Sequence, residues 1–252
     1  MPLRAGKQSL LYTAKLFGEL RMSHAVAKLR AQRLAQCQRP FRARGAALQR
    51  CDRCRVAVQY CICGWQPQAD SRSAFCLLMH ENEPLKPSNT GWLIADVLPQ
   101  TRAFIWSRTE QNDELVRLLS DPQWQPYLVF PHDAAGEERQ LLHDLLPASE
   151  RQPLFVLLDA TWQQARKMFR KTPCLQQLPV LSLEAAQLSR YHLRHSDNRQ
   201  HLATAEVAAA CLRLAGEQQA ADSLQEWFAR FNRHYLAART PPSKERRHEL
   251  LS

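Results

Sequence analysis

Apolar residues beyond position 70 fall into short, nearly continuous runs of strand length. Runs without strict polar alternation are typical of strands that are buried on both faces of a sheet. Turn residues or helical patterns follow each run, which indicates where each strand ends. The predicted strands are Ala74–Met79, Ala103–Trp106, Tyr127–Phe130, Leu154–Leu158 and Val180–Leu183.

The segments between and after these runs place apolar residues at helical spacing. The predicted helices are Asn89–Leu98, Glu110–Leu119, Glu137–Leu145, Trp162–Arg170, Thr204–Leu214 and, last, a helix from about Ala220 to Leu236. Strands that alternate with helices predict an α/β fold, with a mostly parallel sheet and helices on both of its faces.

The residues before position 70 have a different composition, rich in arginine and cysteine. A basic helix is predicted from Ala25 to about Cys37, because a thin apolar stripe ends before Pro40. Asp52 is the single acidic residue between the first and last members of a basic series. The series comprises Lys28, Arg30, Arg33, Arg39, Arg42, Arg44, Arg50, Arg53 and Arg55.

The charge balance favours a polyanionic partner. The chain has 34 Lys and Arg against 24 Asp and Glu, a net charge of +10, which makes nucleic acid the first candidate. A second basic cluster, called here the basic face, consists of Arg166, Lys167, Arg170 and Lys171. A solvated surface remains the alternative interpretation of both clusters.

Composition also excludes several classes. The 7 glycines are scattered singly, which excludes the dinucleotide fingerprint and the Walker A loop. No apolar run reaches about 18 residues, so we expect no membrane span. Lys15 interrupts the short apolar run Ser9–Ala14, which argues against a secretion signal. We therefore expect a cytoplasmic protein, and the sequence indicates no obligate protein partner.

Four of the 8 cysteines lie close together, in the order Cys51-x-x-Cys54-x6-Cys61-x-Cys63. Four thiolates at this spacing predict a tetrahedral Zn²⁺ site, and a complete thiolate shell leaves no open position, so the site is structural. Two disulfides or four unconnected thiols are the alternatives, and the lack of a secretion signal argues against disulfides. We interpret Cys76, Cys174 and Cys211 as buried small hydrophobic residues.

One acidic residue follows a predicted buried strand directly. The run Leu154–Leu158 ends at Asp159, and the next helix begins near Trp162. Open α/β sheets bind ligands at the carboxyl ends of their strands, so Asp159 is the candidate catalytic residue. The alternative is that Asp159 or Thr161 simply caps the helix. Trp162 is either a core aromatic residue or a stacking surface.

The residues Asp159-Ala160-Thr161-Trp162 match the D-x-T-W signature of the DTW-domain family, and the chain resembles that family from about Arg30 to Leu236. The four clustered cysteines, the basic face and three further segments also agree with the family, in the order in which the family has them. The three segments are Ser88-Asn89-Thr90-Gly91, Leu188-Ser189-Arg190-Tyr191-His192-Leu193-Arg194 and Thr204-Ala205-Glu206-Val207.

The resemblance implies a reaction and a fold. The reaction is transfer of the 3-amino-3-carboxypropyl group of S-adenosylmethionine to N3 of uridine 47 in tRNA, with release of 5′-methylthioadenosine. The fold is SPOUT-like and knotted, with the donor bent among C-terminal loops. Alternatives are a zinc-stapled RNA-binding protein without catalysis and a SAM-dependent RNA methyltransferase, which would transfer a methyl group instead.

The resemblance also implies the roles of individual residues. Asp159 is expected to act as general base on uridine N3, with burial raising its pKa, or as a hydrogen-bond acceptor; binding the donor's amino group is a competing role. Residues expected to bind the donor are Asp159, Ala160, Thr161, Trp162, Leu181, Ser182, Thr204 and Ala205. Residues expected to bind tRNA are Ser88, Asn89, Thr90, Arg44, Arg50 and the basic face. Ser88 is alternatively an N-cap for Asn89–Leu98.

These inferences predict four parts of the chain. Residues 1–21 are an extension outside the domain, either disordered or a misassigned start, because Met22 is a second possible start. Residues 22–70 form the basic helix and the zinc-binding segment, 71–240 the catalytic domain, and 241–252 a tail rich in proline and charge.

Overall fold

A computed structural model describes residues 24–37, 48–131, 139–146, 150–183 and 202–238. The strands are β1 (Ala74–Met79), β2 (Arg102–Ile105), β3 (Trp124–Val129), β4 (Leu141–Leu142), β5 (Gln152–Asp159) and β6 (Val180–Leu181). The helices are α1 (Ala25–Gln36), α2 (Gly91–Val97), α3 (Asp113–Ser120), α4 (Trp162–Lys171), α5 (Thr204–Leu214) and α6 (Gln218–Ala237). None of these helices is both long and apolar enough to cross a membrane.

The six strands form one sheet in the order β2-β1-β5-β3-β6-β4, and every neighbouring pair is parallel. The predicted α/β fold with a parallel sheet is therefore confirmed. Strand β5 lies between β1 and β3, and Asp159, its last residue, is paired with Met79 of β1. The carboxyl ends of the central strands consequently meet at one edge of the sheet.

Helices cover both faces of the sheet, because alternate side chains of each central strand enter two separate cores. Phe155 and Leu157 of β5 pack on the side of α2, α5 and α6. Leu154 and Val156 pack on the side of α3 and α4, against residues such as Met168. Burial on both sides explains why these strands have continuous apolar sequences.

The cysteine segment packs into the first of these cores. Val56, Tyr60 and Ile62 are buried together with residues of α2 and α6. The Nδ1 atom of His234, on α6, contacts the carbonyl oxygen of Tyr60 at 3.0 Å. The segment around the cysteines is therefore attached to the α/β body through a shared apolar core.

One predicted element is wrong. The predicted helix Glu137–Leu145 contains strand β4 in its described part, residues 139–145. The amide of Ser182 donates to the Leu142 carbonyl at 2.9 Å, and the amide of Val180 donates to the Gln140 carbonyl at 2.8 Å. This segment pairs with β6 as a strand although its local spacing also suits a helix. A short apolar pattern alone does not distinguish a helix from a strand.

Several predictions concern residues outside the described ranges. These are the extension 1–21, Arg39, Arg42, Arg44, the family match at Leu188–Arg194 and the tail 241–252. The expected knot also stays a prediction, because residues 184–201 lie outside the described part of the chain.

Candidate active site and metal centre

Asp159 lies at the carboxyl end of β5 and is buried, with 5% of its surface exposed. Its backbone carbonyl accepts a hydrogen bond from the amide of His80 at 3.0 Å, which continues the pairing of β1 and β5 past the last strand residue. The sequence prediction placed Asp159 at this edge of the sheet, and the structure confirms that position.

Both carboxylate oxygens of Asp159 accept hydrogen bonds from residues that are distant in sequence. The side-chain amide of Asn89 donates to Oδ2 at 2.7 Å. The hydroxyl of Thr204 donates to Oδ1 at 2.9 Å. The fold therefore brings together three residues that the sequence analysis selected from three separate segments.

The loop before α2 and the start of α5 are also joined to each other. The amide of Ala205 donates to the Thr90 hydroxyl at 3.4 Å, and the amide of Trp92 donates to Asn89 Oδ1 at 3.0 Å. Gly91 lies directly against the carboxylate, because a Cβ atom at this position would overlap Asp159 Oδ2. A side chain at position 91 is therefore incompatible with the observed position of Asp159.

Burial raises the pKa of Asp159 to about 6. Glu83 adds to the effect of burial, hydrogen bonds from Asn89 and Thr204 and the positive charge of Lys86 oppose it, and the pKa of about 6 is the net result. Lys86 forms an ion pair with Glu83. The carboxyl group thus titrates close to neutrality, as a general base requires and as a solvated aspartate does not.

Thr161 directly precedes α4, and its polar groups are bonded to the first turn of that helix. Its amide and its hydroxyl donate to the side-chain oxygen of Gln164 at 3.0 and 2.8 Å. Thr161 thus occupies the N-cap position of α4, whereas Asp159 is engaged with Asn89 and Thr204 and does not cap α4. The expected contact of Thr161 with the donor stays a prediction.

Trp162 is partly exposed, at 36%, and lies on an aromatic stack. Its ring is parallel to that of Phe130 at a centroid distance of 5.4 Å, and Phe130 in turn stacks on Phe169 at 4.4 Å. The Arg166 guanidinium lies 5.1 Å from the Trp162 ring. Trp162 consequently packs against Phe130 while it stays partly exposed, and its stacking on a base or on the donor stays a prediction.

The remaining predicted donor residues lie at two places. Ala160 is half-buried between Asp159 and Thr161. Leu181 and Ser182 are buried at the end of β6, where the Leu181 side chain joins the first core. Contact of these residues with the donor stays a prediction.

Residues predicted to bind tRNA differ in accessibility. All four members of the basic face are exposed on α4. Ser88 is exposed, but it is not an N-cap, because α2 begins at Gly91 with Thr90 preceding it. The side chain of Asn89 instead accepts a hydrogen bond from the amide of Trp92, in the first turn of α2.

Arginines of the N-terminal basic series make internal contacts. Arg30 donates to the carbonyls of Pro84 and Leu85 at 3.4 and 3.0 Å. Arg33 donates to the carbonyl of Glu81 at 3.2 Å. Arg50 donates to the carbonyl of Arg55 at 3.1 Å and lies 5.0 Å from the Tyr235 ring. Arg30 and Arg33 therefore connect α1 to the segment after β1, and Arg50 contacts the cysteine segment and α6. The basic face on α4 is more accessible than these three arginines.

The four clustered cysteines form a compact group whose Sγ atoms all lie within 4.8 Å of one another. The Cys51–Cys63 and Cys54–Cys61 sulfur distances are 3.6 and 3.7 Å. Thiolates about 2.3 Å from a tetrahedral Zn²⁺ lie about 3.8 Å from one another. Because the observed separations fit that geometry and exceed a disulfide bond, the residues can hold a structural zinc ion.

Sequence reasoning missed three residues of the site and gave no role to Gly91. His80 follows β1, and its Nδ1 atom lies 3.4 Å from the Gln164 side-chain nitrogen. Glu83 is buried and acts on Asp159 electrostatically. Arg55 contacts the loop that carries Asn89. His80 could have been found by the rule that selected Asp159, whereas no sequence signal distinguishes Arg55 from its basic neighbours.

The fold and site define an α/β protein with a buried carboxylate at the edge of a parallel sheet and a four-cysteine site beside it. The DTW domain model matches residues 48–236, and the chain belongs to the DTW domain family. The resemblance drawn from the sequence is thereby confirmed.

Two curated relatives carry the same name, tRNA-uridine aminocarboxypropyltransferase 2. The protein from Drosophila melanogaster is 25% identical over 170 residues, covering 65% of this chain and 65% of the relative. The protein from Mus musculus is 25% identical over 169 residues, covering 64% of this chain and 55% of the relative. The chain thus spans less than two thirds of each of these relatives. No solved structure matches it.

Proposed function

We propose that this protein transfers the 3-amino-3-carboxypropyl group of S-adenosylmethionine to N3 of a uridine in tRNA, at position 47. Membership of the DTW family and the names of the two relatives support the substrate class and the type of transfer. The observation that carries the proposal is the buried carboxylate of Asp159, held by two family-motif residues at the edge of the sheet.

Asp159 is proposed to take the proton from uridine N3. Uridine N3 loses its proton with a pKa of roughly 9 to 10, so a base must engage this proton before N3 can attack. A carboxyl group with a pKa of about 6 is ionised at neutral pH and is a stronger base than a solvated aspartate. Asn89 and Thr204 hold the carboxylate in one orientation while it accepts the proton.

The proposed transfer balances without any additional reactant. The N3 lone pair forms a bond to the carbon of the carboxypropyl group next to the donor's sulfur, and the carbon–sulfur bond breaks. The sulfonium sulfur receives that electron pair and leaves as the neutral thioether of 5′-methylthioadenosine. Orientation decides which of the three carbons on sulfur faces N3, so the protein selects the transferred group by positioning.

The remaining residues have proposed roles around this step. We assign Ala160, Thr161, Trp162, Leu181, Ser182 and Ala205 to the donor pocket of a SPOUT-like, knotted arrangement, together with Asp159 and Thr204. The basic face is assigned to tRNA phosphates, and Ser88, Asn89 and Thr90 to the uridine side. A Zn²⁺ ion bound by Cys51, Cys54, Cys61 and Cys63 is assigned a structural role, because four thiolates complete its shell.

Nucleoside mass analysis tests the proposal. Purified protein is incubated with unmodified tRNA and S-adenosylmethionine, and the digested nucleosides are weighed, with Asp159→Asn as the control. An addition of about 101 Da to uridine in the wild-type reaction alone supports the proposal, by the mass of the transferred group. An addition of about 14 Da indicates methyl transfer, and tRNA binding without any addition indicates an RNA-binding protein; either result contradicts the proposal.

A further inference from the structure

We propose that Arg55 is a positioning residue that links the cysteine cluster to Asp159, so that occupancy of the metal site affects the catalytic carboxylate. The link runs through Asn89. This inference concerns the geometry of the Asp159 side chain and does not depend on which group the protein transfers.

The backbone of Arg55 is fixed by the cysteine segment. Arg55 follows Cys54 directly, and its amide donates to the carbonyl of Cys51 at 2.8 Å. Its φ of 62° lies in the left-handed region, which non-glycine residues seldom adopt, and Arg55 is the one non-glycine residue with positive φ in the described ranges. A change in the loop between Cys51 and Cys54 would therefore move Arg55 first.

The side chain of Arg55 reaches into the loop before α2. It is 2% exposed, and its Nη1 atom donates to the carbonyl of Asn89 at 2.8 Å and to that of Pro87 at 3.3 Å. The guanidinium lies 4.3 Å from the Trp92 ring and 5.4 Å from the Phe231 ring. One rigid group therefore holds the loop on both sides of Ser88 and packs against the first turn of α2.

Asn89 completes the connection. Arg55 holds its backbone carbonyl, and its side-chain amide holds Asp159 Oδ2 at 2.7 Å. Only one residue thus separates Arg55 from the carboxylate. A displaced Asn89 would weaken the hydrogen bond that lowers the pKa of Asp159, because that bond favours the charged form.

The guanidinium of Arg55 is buried although part of its hydrogen-bonding capacity is unused. Among the described residues, Nε and Nη2 of Arg55 have no hydrogen-bond partner. A buried guanidinium with unpaired donors costs free energy that an apolar side chain would avoid, which suggests a requirement for its two carbonyl contacts.

The test follows the Asp159 carboxyl carbon by NMR in a pH titration of zinc-loaded protein. Arg55→Met removes the link, and Arg139→Met is the matched control. Arg139 also donates to two carbonyls, those of Leu175 and Leu178, and lies over the ring of Phe169, which belongs to the core on the opposite face of the sheet from α2. We expect Arg55→Met to raise the titration midpoint by about half a pH unit or more, and Arg139→Met to leave it unchanged.

Removal of the metal is a second test of the proposal, and it uses the same titration midpoint of Asp159. Removing zinc from the wild-type protein with a chelator should move the midpoint in the same direction, and removing it from Arg55→Met should add no further shift. An unchanged midpoint in Arg55→Met, with a loss of thermal stability like that of Arg139→Met, would show a purely structural role and overturn the proposal. If Arg55→Met does not fold, Arg55→Lys decides in the same way, because lysine cannot reproduce the planar donor group.

Discussion

The cysteine cluster and the Asp159 site are built by the chain in opposite ways. The cysteine cluster takes all four side chains from residues 51–63, and a short segment folds around them. The Asp159 site takes Asn89, Asp159 and Thr204 from three elements of the α/β body. The first depends on local spacing, whereas the second depends on the whole sheet being in register.

This difference determines how each site should respond to change. Loss of a cysteine should affect stability first and chemistry second. Loss of a group at the Asp159 site should affect chemistry while the fold remains. The following experiments test that separation, from the largest expected effect to the smallest.

Asp159→Asn should reduce the transfer rate about 10³-fold, because the proposed base is removed while the side-chain shape is kept. Quantified modified nucleoside per unit time measures the effect. Zinc content should stay near the wild-type value, and the melting temperature should not fall, because removal of a buried charge does not weaken the fold. A rate within threefold of wild type would remove Asp159 from the mechanism.

Cys61→Ser should abolish stoichiometric zinc binding and reduce the free energy of unfolding by at least about 3 kcal/mol, because the tetrahedral shell is broken. Metal analysis and denaturant unfolding measure these two effects. Cys37→Ser is the matched control, since Cys37 lies outside the cluster and follows α1. Equal zinc content in both variants would contradict the assignment of the ligands.

The pH dependence should separate the two sites further. The folded-state pKa of Asp159 is raised to about 6, above its ordinary value of 3.8, so its buried charge lowers stability progressively as pH rises from about 4 to 6. Asp159→Asn should therefore gain stability relative to wild type over that range. Below about pH 6 the transfer rate should fall about tenfold per pH unit, because the protonated carboxyl is not a base. A flat profile between pH 5 and 7 would be inconsistent with Asp159 as the base.

Gly91→Ala should reduce the transfer rate about tenfold, because the added methyl group would displace Asp159 Oδ2. Steady-state kinetics measure the effect. Gly64→Ala is the control, since a Cβ atom there would have no neighbour within 4 Å. Equal rates in the two variants would mean that the close approach of Gly91 is unimportant for Asp159.

Lys167→Ala should weaken tRNA binding several-fold and reduce the slope of log affinity against log salt by about 1, as loss of one phosphate contact does. Titrations at several salt concentrations measure the slope. Arg102→Ala is the matched control, because Arg102 is exposed at the start of the outermost strand β2 and lies outside the basic face. A similar change in both variants would indicate a general charge effect rather than a site on the basic face.

The sequence predicts the elements whose pattern reflects burial. Strand β1 and helix α5 have the predicted bounds, Ala74–Met79 and Thr204–Leu214, because their apolar residues are set by the layers above and below the sheet. The helix predicted over Glu137–Leu145 is wrong because β4 depends on hydrogen bonds to β6, a partner distant in sequence. Local periodicity contains no information about that partner.

The candidate site divides in the same way. Asp159 could be predicted because it follows a buried strand, and the four cysteines because they are close together. The hydrogen bonds from Asn89 and Thr204 depend on how α2 and α5 pack beside β5, and Arg55 depends on the path of the chain after Cys54. The sequence analysis selected Asn89 and Thr204 through a family resemblance, not through their geometry.

The connection from β5 to α4 is two residues long, so it fixes the position of the helix relative to Asp159. The four residues 159–162 include the buried Asp159, the helix cap Thr161 and the partly exposed ring of Trp162. One residue inserted in the first turn of α4 would rotate Trp162 by about 100° around the helix axis relative to the basic face. Trp162 could then no longer stack on Phe130 while the basic face keeps its present direction, so the tetrad can be transplanted into a related scaffold only together with its flanking strand and helix.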